Sequence, residues 1–185
     1  MANEIITIEN AILQELTGDD QKKTLDFVVF LCLNEMEFIR GDGYWSNQFY
    51  WMIKFKEQYV CFILINGTGA EEKFTPLTIW SDDSNSNWYA NSPLEQRLKE
   101  IAWNNVDSCG HCGSCSGGRQ KIIFGKAFDN VCRTTFRFVN PDVQTLVCVK
   151  QLVVIRKNDI EVASDDVNDE MIMQKPLKGE EHHEI

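Results

Sequence analysis

The residues with the clearest chemistry are Cys109-Gly110-His111-Cys112-Gly113-Ser114-Cys115, two overlapping C-x2-C pairs. Two cysteines three positions apart can aim both sulfurs at one ion. A glycine after each of the first two lets the backbone curl around that ion and turn N–H groups toward the thiolates. A tetrahedral centre needs a fourth ligand. Cys132 is the natural candidate, and His111 is the alternative from inside the motif. Four thiolates suit a structural zinc. The C-x2-C-x2-C run also suits an iron–sulfur cluster, although Cys132 stands at the wrong spacing for a ferredoxin and no proline follows it. A third chemistry is thiol redox, with Cys109 and Cys112 cycling through a disulfide. Against it, the pair sits in a glycine-rich loop after a helix, rather than opening a helix after a strand. Cys32, Cys61 and Cys148 lie in apolar runs and read as buried hydrophobes.

A second set of candidates follows the cysteine loop. Arg119 and Lys121 fall on one side of a strand, with Ile122 and Phe124 on the other. Arg133, Thr135 and Arg137 share a side opposite Phe136 and Phe138. If the two strands pair, four cations gather on one face. That face could receive an anionic small molecule, balance the thiolates of a metal site, or simply be solvated. The middle of the chain is rich in aromatics. Trp51 and Trp80 read as core, whereas Trp45, Trp88 and Tyr89 fall at strand ends or in loops and are candidates for a ligand-binding rim.

Several elements must position these groups. Ile8–Leu16 and Gln21–Asn34 read as helices, the second with Leu25, Val28, Val29 and Cys32 at helical spacing. Trp45, Phe49, Trp51, Ile53 and Phe55 alternate along a strand. Tyr59, Cys61, Ile63 and Ile65 continue on a second strand after a polar turn at Lys56-Glu57-Gln58. Phe74–Trp80 is a third strand, and Met36–Arg40 a candidate fourth. Ser92-Pro93-Leu94-Glu95 carries N-cap, proline and capping-box signals, which predict a helix over Pro93–Trp103. Ser108–Gly118, with four glycines, three cysteines and three serines, is a loop. Lys121–Phe124 and Thr134–Val139 are short strands, with Cys132 at the start of the second. Asn140-Pro141 opens a closing helix that runs to about Lys157.

This order predicts an α+β fold: a single domain over 1–157, with a mostly antiparallel sheet, helices packed mainly on one side, and the cysteine loop at 108–118. No phosphate-binding glycine loop follows a strand. Residues 158–185 are acidic and poor in aromatics, and read as a flexible tail.

The formal charge of −10 is distributed unevenly: −9 over residues 1–118, +6 over 119–157 and −7 over 158–185. A short basic stretch flanked by acid excludes general nucleic-acid binding and charge-driven attachment to anionic lipid. Met1–Asn10 has no basic segment leading into an apolar one, and the longest apolar runs fall well short of a membrane span. A cytoplasmic location is therefore expected. There an odd count of seven cysteines does not make a disulfide framework.

The block Cys109–Gly118, followed by Ile123-Phe124-Gly125-Lys126 and Phe128-Asp129-Asn130-Val131-Cys132, resembles one in uncharacterised bacterial proteins with a CGxCGxC loop. The strand order is also similar, over residues 20–157, to small α+β families of the YdhG-like and MmcQ/YjbR-like kind. Trp45 and Trp51 in an aromatic hairpin and a last helix ending Ile155-Arg156-Lys157 carry that likeness. It implies a curved antiparallel sheet with helices on one side and assigns no catalytic residue. The expected function is a cytoplasmic, non-enzymatic module with a cysteine-ligated metal, binding a small molecule or a protein.

Overall fold

The computed structural model describes residues 7–41, 49–68, 74–81, 88–110 and 117–173. Trp45, His111, Cys112 and Cys115 lie outside the described residues. The element order is α1 (Ile8–Glu15), α2 (Gly18–Leu33), β1 (Glu37–Arg40), β2 (Phe49–Phe55), β3 (Gln58–Thr68), β4 (Phe74–Ser81), α3 (Trp88–Asn91), α4 (Gln96–Asn104), β5 (Val106–Ser108), β6 (Arg119–Ile123), β7 (Lys126–Val139) and α5 (Val143–Met173). All strand pairs are antiparallel, in the order β1-β2-β3-β4-β7-β5, with β6 also on β7. This is the expected α+β fold.

The β2–β3 hairpin forms where alternation predicts it. Its two-residue turn, Lys56-Glu57, has both residues left-handed, at φ 44° and 65°, as a tight hairpin with the native twist requires. Trp51, Ile53 and Phe55 are buried, with Ile63 and Ile79 beside them in register. α1, α2 and α5 contact β2, β3 and β4, and the core they share holds Phe27, Leu31, Ile53, Ile63, Ile79 and Phe138. On the other side of the sheet, Ile39, Met52, Phe62, Trp80 and Arg137 make one row across five strands. Trp80, expected in the core, is therefore half-buried on this second face.

Other local readings change with packing. In α2 the buried face is Thr24, Phe27, Val28 and Leu31, while Val29 and Cys32 are exposed. The helix rolls by one residue because Phe27 and Leu31, not Leu25 and Cys32, fill the core. α4 begins at Gln96 rather than Pro93. The Ser92 hydroxyl donates to the Trp88 carbonyl, so it closes α3 instead of opening α4.

α5 does not stop near Lys157 but continues to Met173, and the expected boundary at 157/158 falls inside it. Ile160 is fully buried and Arg156 is 5% exposed. Arg156 donates to the Tyr59 carbonyl at 3.3 Å and to Gln58 at 3.1 Å, and pairs with Asp159. It thus fastens the helix to the β2–β3 turn. Among the described residues no helix is long and apolar enough to cross a membrane.

A chain ending at Lys157 loses both Ile160 and the Asp159 partner of Arg156. It is expected to be less stable by about 2–5 kcal/mol, as for loss of a buried aliphatic side chain. Denaturant unfolding against the full chain checks this.

Candidate functional site

The cysteine loop is a crossover. Ser108 of β5 and Arg119 of β6 both pair with Val131, one on each edge of β7. The chain therefore leaves one side of β7 at Cys109 and returns on the other. A connection between parallel neighbours normally takes a dozen residues or more. Here the ten residues 109–118 suffice, four of them glycine.

Asn130 anchors both ends. Its carbonyl accepts from the Cys109 N–H at 2.8 Å, and its Nδ2 donates to the Cys109 carbonyl at 3.2 Å. At the other end, a Cβ on Gly118 would meet the Asn130 carbonyl carbon and oxygen at 2.7 and 2.8 Å and would also strike its side-chain oxygen. Only glycine fits there. Gly117, at φ 98°, supplies the turn into the contact. Asn130 itself is left-handed, at φ 54°, a conformation asparagine tolerates better than most residues.

Past Val131 the ladder breaks. Val106 pairs with Phe136 and Ser108 with Val131, so Cys132, Arg133, Thr134 and Thr135 of β7 oppose only Asp107. This is a wide bulge, and Cys132 lies within it rather than at a strand start. Its residues sort to two sides. Asp107 accepts from the Thr134 hydroxyl at 3.4 Å and from the Cys132 thiol, and lies in the field of Arg137. Burial raises the Asp107 carboxyl above its usual range, against the pull of Arg137 and of those two hydrogen bonds. The Arg137 guanidinium sits 5.8 Å from the centre of the Trp80 ring.

Thr135 turns the other way. It is left-handed, at φ 59°, and 1% exposed. Its hydroxyl lies 2.9 Å from the Tyr89 hydroxyl, and Lys121 Nζ donates to both, at 2.6 Å to Thr135 and 2.8 Å to Tyr89. Lys121 also lies over the Tyr89 ring, at 5.5 Å. The Tyr89 carbonyl accepts from the Phe124 N–H in the β6–β7 turn, and Trp103 Nε1 donates to the Ile123 carbonyl. β6 and the β6–β7 turn are thereby braced against α3 and α4.

The expected four-cation face does not form. Strict alternation would place Lys121 with the arginines, but bulges in β6 and β7 shift the register. Lys121 points inward with Thr135, while Ile122 is 57% exposed. Arg119 and Arg133 are exposed near the crossover, and Arg137 lies between Asp107 and Trp80. Trp88 and Tyr89 are not a rim. They are 7% and 1% exposed in α3, ring against ring at 4.5 Å, with Tyr89 edge-on to Phe136. A void lined by Val60, Ile79, Trp88 and Leu152 measures about 10 Å³, room for one water.

Of the proposed metal ligands, Cys109, just past the end of β5, is buried, and Cys132 in β7 is half-buried. Among the described residues no group of three or more His, Cys, Asp or Glu side chains is assembled around one point. Asp107, Asn130 and Thr135 were missed by spacing arguments. An asparagine inside the β-rich run Phe128–Val139 was the one available signal for Asn130. No family model matches the chain, and no curated protein or solved structure is significantly similar to it.

Two predictions concern the side chains around the bulge. Lys121→Met keeps the aliphatic stem and removes the shared donor. It should cost about 1–2 kcal/mol, since Tyr89 and Thr135 can still bond to each other, as read by denaturant unfolding. Thiol reactivity should be graded among the described cysteines: exposed Cys32 alkylates ahead of buried Cys61 and Cys148. Burial pushes the Cys148 thiol up to about 12, which leaves little thiolate near neutral pH. Mass-spectrometric labelling kinetics check the order, and equal rates at Cys32, Cys61 and Cys148 would contradict it.

Proposed function

We propose that this chain is a non-enzymatic binding module whose crossover is organised by a cysteine-ligated metal, zinc, held by Cys109, Cys112, Cys115 and Cys132. The observation that carries this reading is the position of Asn130. Its bonds to Cys109 bring the first cysteine of the loop onto the strand position next to Asn130, two residues from Cys132. The strand residues on either side of the connection, Ser108 and Arg119, both pair with Val131, next to Cys132. Zinc has no redox chemistry and prefers four thiolates in a closed tetrahedron, so its contribution here is structural. Arg119 and Arg133 are exposed beside the crossover, and their charge suits an anionic small molecule or an acidic protein surface. A cytoplasmic setting accords with reduced cysteines.

Metal analysis of protein purified without chelator tests the reading. About one zinc per chain is expected in both aerobic and anaerobic preparations, and Cys109→Ser and Cys132→Ser should each lose most of it. A metal-free wild-type chain in both preparations would sink the proposal. A brown anaerobic preparation with visible absorbance would replace zinc with an iron–sulfur cluster.

A further inference from the structure

We infer that the outer face of the α2–α5 pair docks a second copy of this chain, with α2 of each copy against α5 of the other. The inference does not rest on the metal reading above. α2 and α5 run side by side in the same direction. At one end Lys23 Nζ donates to Asn140 Oδ1 at 3.1 Å, in the middle Lys150 Nζ lies 5.3 Å from the centre of the Phe30 ring, and at the other end Lys157 pairs with Glu35 at 3.1 Å. Residues three and four apart share a helix face. Asp26 and Leu33 therefore share the stripe of α2 that holds Phe30, and Val143 and Val147 share the stripe of α5 that holds Lys150. The two stripes meet along one seam. On it Leu33 is 79% exposed, Val143 66% and Val147 41%. Large apolar side chains grouped this way mark an association surface, whereas scattered ones do not.

The charges on the seam select the occupant. Asp26 is exposed and makes no ion pair among the described residues. Lys150 makes none either and rests on Phe30. The nearest other charge on α2, Lys22, is turned about 80° around the helix from Phe30, against about 40° for Asp26. One wall of the seam thus offers an acid and the other a base, so the face is complementary to itself. A two-fold axis along the seam sets each Asp26 near Lys150 of the other copy, and Leu33 against Val143 and Val147, as an isologous contact requires. Asp26 stands four residues before Phe30, about 6 Å along the helix, a gap that a lysine side chain spans. A foreign helix of single charge would satisfy only one wall.

Sedimentation equilibrium of the full chain tests this, in reductant so that exposed Cys32 does not cross-link. Two helices side by side offer a modest area, so the dimer should be weak. Its average mass should climb toward twice the monomer as the concentration approaches millimolar. A monomer throughout that range would overturn the inference. Leu33→Asp and Val147→Asp should abolish association with unchanged circular dichroism, and a folded Leu33→Asp chain that still dimerises would overturn it. If Val147→Asp fails to fold, the more exposed Leu33→Asp decides. Asp26→Lys and Lys150→Asp should each raise the dissociation constant about tenfold, because two ion pairs become two repulsions. The double variant Asp26→Lys/Lys150→Asp restores opposite charges and should return to the wild-type constant. A folded double variant that stays as weak as the single ones would show that α2 does not meet α5 of the second copy, and would overturn the inference.

Discussion

The organisation of this protein depends on a break in the alternation of β7. A regular strand sends successive side chains to opposite faces and would bury one set and expose the other. β7 carries two left-handed residues, Asn130 and Thr135, with the bulge between them. For threonine, whose branched side chain disfavours this conformation, the cost is on the order of 1–3 kcal/mol. Such strain persists only where surrounding contacts over-determine it. Here they do: the Ser81 hydroxyl donates to the Thr134 carbonyl and accepts from the Phe136 N–H, while Lys121 and Tyr89 hold the Thr135 hydroxyl. The distortion places Cys132 and Thr134 against Asp107 on one side of the strand and Thr135 against the helices on the other. One strand thereby serves two environments.

The same bend joins the two parts of the sheet. β4 uses one edge of β7 through Arg137–Val139, and β6 uses residues 126–131 further back. The β6–β7 turn, left-handed at Phe124 and Gly125, then folds under α3 and α4. There Phe124 bonds to Tyr89 and Ile123 to Trp103. Ile123 and Phe124 are buried in the main hydrophobic cluster together with Tyr89 and Ala102. The β6–β7 turn therefore rests on the same core as the central hairpin. Disturbance at Lys121 or Tyr89 should reach the cysteine loop through β6.

What was legible in the sequence follows from which rule each element obeys. β2 and β3 obey period two without interruption until a bulge near their turn, so Trp51, Ile53, Phe55 and Ile63 were placed correctly. The cation face was misread because a period-two argument assumes one residue per ladder step, and the bulges in β6 and β7 violate that assumption. Ser92-Pro93 looked like a helix start because cap signals do not say whether the hydroxyl serves the helix ahead or the one behind. α5 was cut short because its acidic composition after Asn158 hides Ile160, a single buried residue one turn past Arg156. The Asn130 contacts to Cys109 and Gly118 span the crossover, and no local pattern encodes them.

The charge map also takes a different meaning. The +6 of residues 119–157 suggested a basic surface, yet most of these cations are engaged within the fold. Lys121 points inward, Lys126 lies over Trp103 and Phe128, Arg137 lies over Trp80, Lys150 over Phe30, Arg156 is buried, and Lys157 pairs with Glu35. Arg119, Lys126, Arg133 and Arg137 are exposed, with Arg119 in register with Val131 and Arg133 following Cys132. On the metal reading this placement has a reason of its own. Zinc with four thiolates carries a formal charge of about −2, and such a centre is favoured by cations close by and by backbone N–H groups directed at sulfur. Two arginines flanking the strand segment that contributes Cys132 provide the first. The glycine-rich crossover provides the conformational freedom for the second. On that reading Arg119 and Arg133 would serve the cysteine centre before any partner, and the rest of the basic stretch serves the fold.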